Sequence, residues 1–339
     1  MVIVSHERCL NHDQAHASCS ACAKACPADA IALGNVAEVD GDCCTGCMAC
    51  IEACPVAAIS SPDFDALAII EAAHKSLRSG QSHLRVSCAE AGGQAQASDM
   101  QVSCHACWSA PLLMELAALG LREISMQGCD KCSGCARRFG AQVLQSTLQE
   151  LHILERSLSV RITVNTDPDT PDAASEADAL PPRRAFFRNL VPELTRSAAR
   201  VVAEVSRHAA GAASDEEKTS IVKDQPLARF LALLPAMRPN FTPVPPMRGL
   251  PVGALQGSKR CAGHASCVAQ CPTQALALRP FGARAVLEFS AGQCLGCARC
   301  VQACPEQALE LLPSISLPSL LSRPPRPLAM PARIAKLST

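Results

Sequence analysis

The chain has 339 residues, of which 22 are cysteine and only 3% are aromatic. Its formal net charge is zero, which gives no basis for a nucleic-acid or membrane-surface partner. No apolar run reaches the length of a membrane span, and Met1–Arg8 lacks the charged and then apolar pattern of an export signal. We therefore expect a cytoplasmic protein with small cores, in which the cysteines carry much of the chemistry.

Cysteines recur at close intervals in residues 1–60, in two groups that each end in Cys-Pro. The second group has the compact spacing C-x2-C-x2-C-x3-C-P. Cysteines in series with this spacing are typical of iron-sulfur ligands, whereas zinc sites usually use two separated C-x2-C pairs. The candidate ligands are Cys9, Cys19, Cys22 and Cys26 in the first group and Cys44, Cys47, Cys50 and Cys54 in the second.

Residues 62–165 alternate between helical and strand patterns. Pro111 favours the first turn of a helix, and Gly120 ends it. The order of elements predicts a parallel sheet covered by helices, which is an α/β fold. The predicted helices are Asp63–Leu77, Pro111–Leu119 and Ala136–Leu158, and the predicted strands are Leu84–Val86, Met100–Val102, Leu121–Met126 and Val160–Val164.

Cysteines follow three of the strands predicted for this central domain. Because the carboxyl ends of parallel strands line one crevice, we expect their thiols to converge. The expected occupant is one 2Fe-2S or 4Fe-4S cluster, with zinc or reactive thiols as alternatives. The candidates are Cys88, Cys104, Cys107, Cys129, Cys132 and Cys135.

Residues 166–254 are rich in proline, alanine, aspartate and arginine, which predicts a linker. An amphipathic helix is predicted within it over Val191–Arg207. The segment Arg183–Arg188 looks like a twin-arginine export motif, yet charges follow it where an apolar segment belongs. The proline-rich residues 313–339 are predicted to form a disordered tail.

Cysteine groups return in residues 255–312 and repeat the N-terminal pattern. The segments "ERC…HASC…CP" and "KRC…HASC…CP" match in order, so the chain contains a duplicated module. The first group of this second module lacks one cysteine, and His264 stands in its place. The candidates are Cys261, His264, Cys267 and Cys271 in the first group and Cys294, Cys297, Cys300 and Cys304 in the second.

Both modules resemble the 2x(4Fe-4S) bacterial-type ferredoxin over residues 1–60 and 255–312. The resemblance implies an α+β ferredoxin-like fold at each end of the chain. It also implies crossed ligation, in which the cysteine of each Cys-Pro pair serves the cluster of the other group. Cys26 would then join Cys44, Cys47 and Cys50; Cys54 would join Cys9, Cys19 and Cys22; Cys271 would join Cys294, Cys297 and Cys300; and Cys304 would join Cys261 and Cys267.

Two groups depart from the ferredoxin pattern. Nine residues separate Cys9 from Cys19 where the family has two, and an extended loop closes such a gap at modest entropic cost. The group with His264 is compatible with a histidine-ligated 4Fe-4S cluster, a 3Fe-4S cluster or no cluster. We therefore expect three 4Fe-4S clusters in the two modules and a fourth site of open composition.

The central domain resembles, more loosely, the iron-sulfur delta subunit of methyl-viologen-reducing hydrogenase and related electron-relay subunits. The resemblance covers Val86–Leu151 and rests on the "VSC" strand ends, the pair Cys104 and Cys107, and "GCDKCSGC". The Gly-Cys-His-Pro-Gly-type segment of that family is not reproduced.

These features favour an electron-transfer protein or subunit that relays electrons to a separate redox enzyme. The alternative is a ferredoxin-type maturation factor for a molybdoenzyme or similar redox enzyme. A third class, an enzyme that uses the central cysteines, lacks support because the isolated Gly92-Gly93 pair does not form a nucleotide loop.

Overall fold

A computed structural model describes residues 2–12, 19–91, 98–166, 226–281, 284–322 and 325–329. Ferredoxin-type modules form its two ends, and a four-stranded parallel sheet with helices lies between them in the sequence. No helix in the described part of the chain combines the length and the apolarity needed to cross a membrane.

The N-terminal module is built from very short elements. Its first and last strands pair antiparallel, with Ile3 opposite Ser60, and a hairpin separates its two cysteine groups. The elements are β1 (Ile3–Val4), α1 (Ala21–Ala25), β2 (Ile31–Leu33), β3 (Ala37–Val39), α2 (Ala49–Ala53) and β4 (Ile59–Ser60).

The central domain has the predicted α/β architecture. Its strands run in the order β6-β5-β7-β8, and every neighbouring pair is parallel, with Val86 opposite both Met100 and Met126. The elements are α3 (Ala66–Arg78), β5 (His83–Cys88), β6 (Met100–Val102), α4 (Ala110–Leu119), β7 (Glu123–Gln127), α5 (Gly140–Ser157) and β8 (Thr163–Asn165). The prediction of a parallel sheet covered by helices is confirmed.

Local chemistry sets the ends of these helices. The side chain of Asp65 accepts a hydrogen bond from the Leu67 amide at the start of α3, and Ser109 caps α4 in the same way. Gly120 ends α4 at a φ of 114°, a conformation that favours glycine. Helix α5 begins at Gly140, later than the predicted Ala136, because residues 136–139 form a turn. A 3-10 helix over Cys129–Gly134 precedes that turn.

Residues 226–254 were expected to be linker, but the structure places ordered elements there. Helix α6 (Pro226–Leu233) buries Leu227 and Phe230, and β9 (Pro243–Val244) follows it. Their partners come from distant parts of the chain, so local composition did not reveal them. The predicted helix Val191–Arg207 and the segment Arg183–Arg188 lie outside the described residues.

The C-terminal module repeats the plan of the first, with outer strands paired antiparallel and a hairpin between the cysteine groups. Its elements are β10 (Ala254–Gly257), α7 (Ser266–Ala269), β11 (Leu276–Phe281), β12 (Arg284–Phe289), α8 (Arg299–Gln302) and β13 (Leu309–Leu312). The described part of the expected disordered tail is also ordered. It contains β14 (Ile315–Ser316), which pairs with β9, then α9 (Leu317–Leu320) and β15 (Arg326–Ala329), which pairs with β12.

A buried ion network joins α2, α4 and α6. The Arg229 guanidinium lies 3.5 Å from a carboxylate oxygen of Glu52 and 3.2 Å from one of Glu115. Ser109 Oγ donates to the second oxygen of Glu52 at 2.9 Å. Burial raises the pKa of Glu115 to about 8, while Arg229 opposes the rise and Glu52 adds to it. The Arg229 guanidinium thus contacts two buried carboxyl groups, those of Glu52 and Glu115.

We predict that this network makes stability depend on pH. The pKa of Glu115 is about 8 in the fold against 4.5 normally, so the folded state binds the extra proton between these values. Stability is therefore fully present below about pH 4.5 and is lost as the pH rises toward about 8. Urea unfolding of Glu115→Gln should lack this part of the pH dependence, whereas the exposed control Glu71→Gln should retain it. Equal slopes in both variants would contradict the assignment.

Candidate iron-sulfur sites

The cysteines that precede proline in the two modules share one backbone geometry. The residue three positions later has a positive φ, and the amide four positions later donates to the cysteine sulfur. The φ values are 52° at Asp29, 48° at Ala57, 55° at Gln274 and 47° at Gln307. The N–H···S distances are 3.3 Å from Ala30 to Cys26, 3.1 Å from Ala58 to Cys54, 3.2 Å from Ala275 to Cys271 and 3.3 Å from Ala308 to Cys304. The groups that end at Cys26 and Cys271 therefore hold this sulfur in the same way as the groups with the compact C-x2-C-x2-C-x3-C-P spacing, which end at Cys54 and Cys304.

A second repeated geometry places His264 in line with cysteines. In the regular groups, positive φ values flank the second cysteine, at Gly46 and Met48 around Cys47 and at Gly296 and Ala298 around Cys297. The same pattern surrounds His264, with a φ of 79° at Gly263 and 60° at Ala265. The histidine thus occupies the backbone position of a ligand, as its place in the sequence predicts.

The structure brings three of the four cysteines that precede proline, Cys54, Cys271 and Cys304, beside the other cysteine group of their module. Each of these three lines a cavity together with residues of that other group. We call these groups the Cys9 site (Cys9, Cys19, Cys22, Cys54), the Cys294 site (Cys271, Cys294, Cys297, Cys300) and the Cys261 site (Cys261, His264, Cys267, Cys304). These are the sets that crossed ligation implies, with His264 added to the last.

The fourth set, the Cys44 site, comprises Cys26, Cys44, Cys47 and Cys50. Burial, and then the thiolate charges of Cys47 and Cys26, raise the pKa of Cys50 to about 12. In the Cys9 site, burial and then the charges of Cys54 and Cys19 raise the pKa of Cys22 to about 12. Buried thiols with such pKa values do not ionise alone at neutral pH, whereas coordination to a metal deprotonates a thiol outright. These donor sets fit iron-sulfur clusters, which are held by thiolates.

Asn11 closes the long gap in the Cys9 site. Its side-chain amide donates to the Cys19 carbonyl at 3.0 Å, and its side-chain oxygen accepts from the Cys19 amide at 3.1 Å. Asn11 is only 5% exposed. This two-way contact holds Cys19 close to Cys9 despite their separation in sequence. The sequence analysis did not identify Asn11. The available signal was its position two residues after Cys9, because asparagine side chains often hydrogen-bond to nearby backbone in turns.

The central site lies at the carboxyl ends of the parallel strands, as predicted. Burial raises the pKa of Cys129 to about 12, and the charges of Cys132, Cys88, Asp130 and Cys104 add to the effect. Burial also raises the pKa of Cys104 to about 11. We define the central site as the five cysteines at this edge of the sheet that are not fully buried in the core: Cys88, Cys104, Cys129, Cys132 and Cys135.

Cys107 lies deeper than the rest of the central cysteines. It is fully buried, and burial raises its pKa; the charge of Cys104 adds to that rise, and Arg248 opposes it. The Arg248 guanidinium donates to the carbonyl oxygens of Ala106, at 2.6 Å, and Trp108. Cys107 therefore lies between Cys104 and the packed anchor of Arg248, and its role as a ligand stays a prediction.

The amino terminus of α5 faces the central site. A Cβ atom on Gly140 would lie 2.7 Å from the Cys104 sulfur and 3.5 Å from the Cys132 sulfur. The Ala141 amide lowers the pKa of Cys132, against the larger effect of burial. Because the amino end of a helix carries partial positive charge, an 18-residue helix placed here favours anionic sulfur. Among the described residues, no three His, Cys, Asp or Glu side chains are arranged to hold a single metal ion.

Comparison with known proteins identifies two regions of the chain. Residues 37–60 match the family described as "4Fe-4S binding domain", and residues 260–308 match "4Fe-4S dicluster domain". No curated protein and no solved structure matches the chain. The chain therefore has 4Fe-4S ferredoxin domains toward both ends, around a central parallel sheet. The likeness of that central part to a hydrogenase subunit stays a prediction.

We predict that crossed ligation governs cluster loss in the N-terminal module. Cys26→Ser should damage the cluster of the Cys44 site, and the matched variant Cys54→Ser should damage that of the Cys9 site, because each removes a strong thiolate ligand. EPR of the anaerobically purified, reduced protein distinguishes the two signals. An unchanged Cys44-site signal in Cys26→Ser would refute the pairing.

We predict that Gly140→Ala damages the central site. The new methyl group would lie 2.7 Å from the Cys104 sulfur, closer than real Cβ contacts allow, while alanine otherwise favours a helix. The matched control is Gly134→Ala, since nothing lies within 4 Å of a Cβ there. Iron and zinc analysis, together with EPR, should show loss of one centre in the first variant alone. Equal metal content in both variants would argue against a centre at this position.

We predict that His264 is a cluster ligand. His264→Cys should then lower the potential of that cluster, because a thiolate is anionic and imidazole is neutral, and histidine ligation raises potentials in Rieske centres. The control is His152→Ala, whose side chain is 79% exposed on α5. Redox titration followed by EPR measures the change. An unaltered potential and spectrum in His264→Cys would make His264 a bystander.

Proposed function

We propose that the protein is a multi-cluster electron carrier that relays electrons from a redox protein to a separate redox enzyme in the cytoplasm. The observation that carries the proposal is the repeated cysteine geometry, with one N–H···S contact of 3.1–3.3 Å in each of the four groups. A chain that builds the same sulfur cradle four times is organised around cluster binding, and the two family matches support that purpose.

Each cluster would supply reversible one-electron chemistry, and the protein's own groups would tune it. The amides of Ala30, Ala58, Ala275 and Ala308 donate to ligand sulfurs. Such hydrogen bonds and the burial of the site set the potential of a cluster. The helix terminus at Gly140 would act in the same way on the central site.

The proposed inventory has five centres. The Cys9, Cys44 and Cys294 sites would each hold a 4Fe-4S cluster with four cysteines. The Cys261 site would hold a fourth such cluster, with His264 as its non-cysteine ligand. The central site would hold a further cluster through cysteines from three separate segments, and Cys107 would remain outside it. The alternative occupant of the central site is zinc, and metal analysis distinguishes zinc from iron there.

The test is a reductive titration of the full chain, purified without oxygen. Uptake should equal one electron per filled cluster and should reverse on reoxidation without loss of iron. Cys44→Ser should remove the capacity of one cluster, whereas Cys43→Ser, at an exposed cysteine outside the ligand sets, should remove none. Clusters that break down on reduction would overturn the proposal. A stable complex with a cofactor-free enzyme and no electron exchange would indicate a maturation factor instead.

A further inference from the structure

The two ferredoxin modules approach each other at a cleft of about 850 Å³. Cys19, at the start of α1, lines one wall, and Cys297, just before α8, lines another. Candidate ligands of the Cys9 site and of the Cys294 site therefore face the same cleft at the module boundary.

The other face of the N-terminal module meets the central site. Cys47 and Ala49 pack with Cys104 and Ala106 in one small buried cluster. Arg137, which follows the cysteine-rich turn, donates through Nε to the Gly46 carbonyl at 3.3 Å. The Cys44 site and the central site thus share a wall.

Segment 246–253 braces the C-terminal module against the central domain. Arg248 binds the Ala106 and Trp108 carbonyl oxygens. At Gly253, a Cβ atom would lie 3.2 Å from the Cys294 sulfur and 3.0 Å from the Gly296 Cα. A chain segment of fixed geometry therefore connects the central domain to the loop of the Cys294 site.

We propose that the five sites form one unbranched electron path, in the order Cys261 site, Cys294 site, Cys9 site, Cys44 site and central site. This inference rests on the proposed electron-transfer function and gives it a route. Electron tunnelling falls steeply with distance, so electrons pass between sites whose candidate ligands line one cleft, as Cys19 and Cys297 do, or pack together, as Cys47 and Cys104 do. The Cys19–Cys297 cleft and the Cys47–Cys104 contact are the two junctions that join the modules to each other and to the sheet.

Both terminal sites of the path reach the protein surface. His264 is exposed at the Cys261 site, and Cys129, Cys132 and Cys135 are partly exposed at the central site.

The experiment injects an electron into the middle of the proposed path. A ruthenium photosensitiser attached to the exposed Cys43 would reduce the neighbouring Cys44 cluster after a flash. Rapid-freeze EPR then follows arrival at the other clusters. In Cys19→Ser, arrival at the Cys294 cluster should be lost while arrival at the central cluster persists. Cys104→Ser should give the opposite result.

Different failures have different meanings. If the flash reduces no cluster reversibly, the proposed function itself fails. If Cys19→Ser loses its Cys9-site signal, retains the others and still delivers electrons to the Cys294 cluster at the wild-type rate, the order of the path is wrong. If that variant loses additional clusters, pulsed EPR on the reduced wild-type protein decides, since the path requires dipolar coupling between the Cys9 and Cys294 clusters. Absence of that coupling would overturn the order.

Discussion

Burying groups of thiols away from water is the constraint on which the rest of this structure depends. Each thiol is hard to ionise there, and its neighbours make it harder, as the pKa values of about 12 at Cys22 and Cys50 express. Metal coordination removes the conflict because a coordinated thiol is deprotonated. Cluster binding and folding are then one process, which suits modules whose strands have only a few residues each.

The two modules use one plan but differ at points that matter for electron transfer. In the first module, two hydrogen bonds from the Asn11 side chain hold Cys19 near Cys9 although the spacing between the two cysteines is long. In the second module, His264 stands in place of a cysteine, and the backbone turn around it is unchanged. Arg299 places a buried positive charge where the first module has Ala49. Duplication thus supplies equivalent sulfur cradles, and single substitutions give each cradle its own electrostatic environment.

Two arginines, Arg229 and Arg248, connect parts of the chain that are far apart in sequence. Arg229 binds the carboxyl groups of Glu52 on α2 and Glu115 on α4, and Arg248 binds backbone carbonyl groups around the buried Trp108. Such contacts are directional, so they fix the modules in one arrangement. Breaking a buried ion pair by removing one partner costs about 3–5 kcal/mol, so loss of the Arg229–Glu52 contact should destabilise the fold strongly.

The sequence by itself determined the candidate ligand groups, the duplicated modules, the α/β order of the central domain and the place of His264. These features rest on spacings within a few turns of chain, and local geometry follows from local spacing. Tertiary structure alone decided that Cys107 packs beside Arg248, that residues 226–254 form ordered elements, that Cys19 and Cys297 line one cleft, and that Cys47 packs with Cys104. Such contacts join segments far apart in sequence, and no short-range pattern encodes them because each depends on how complete modules pack.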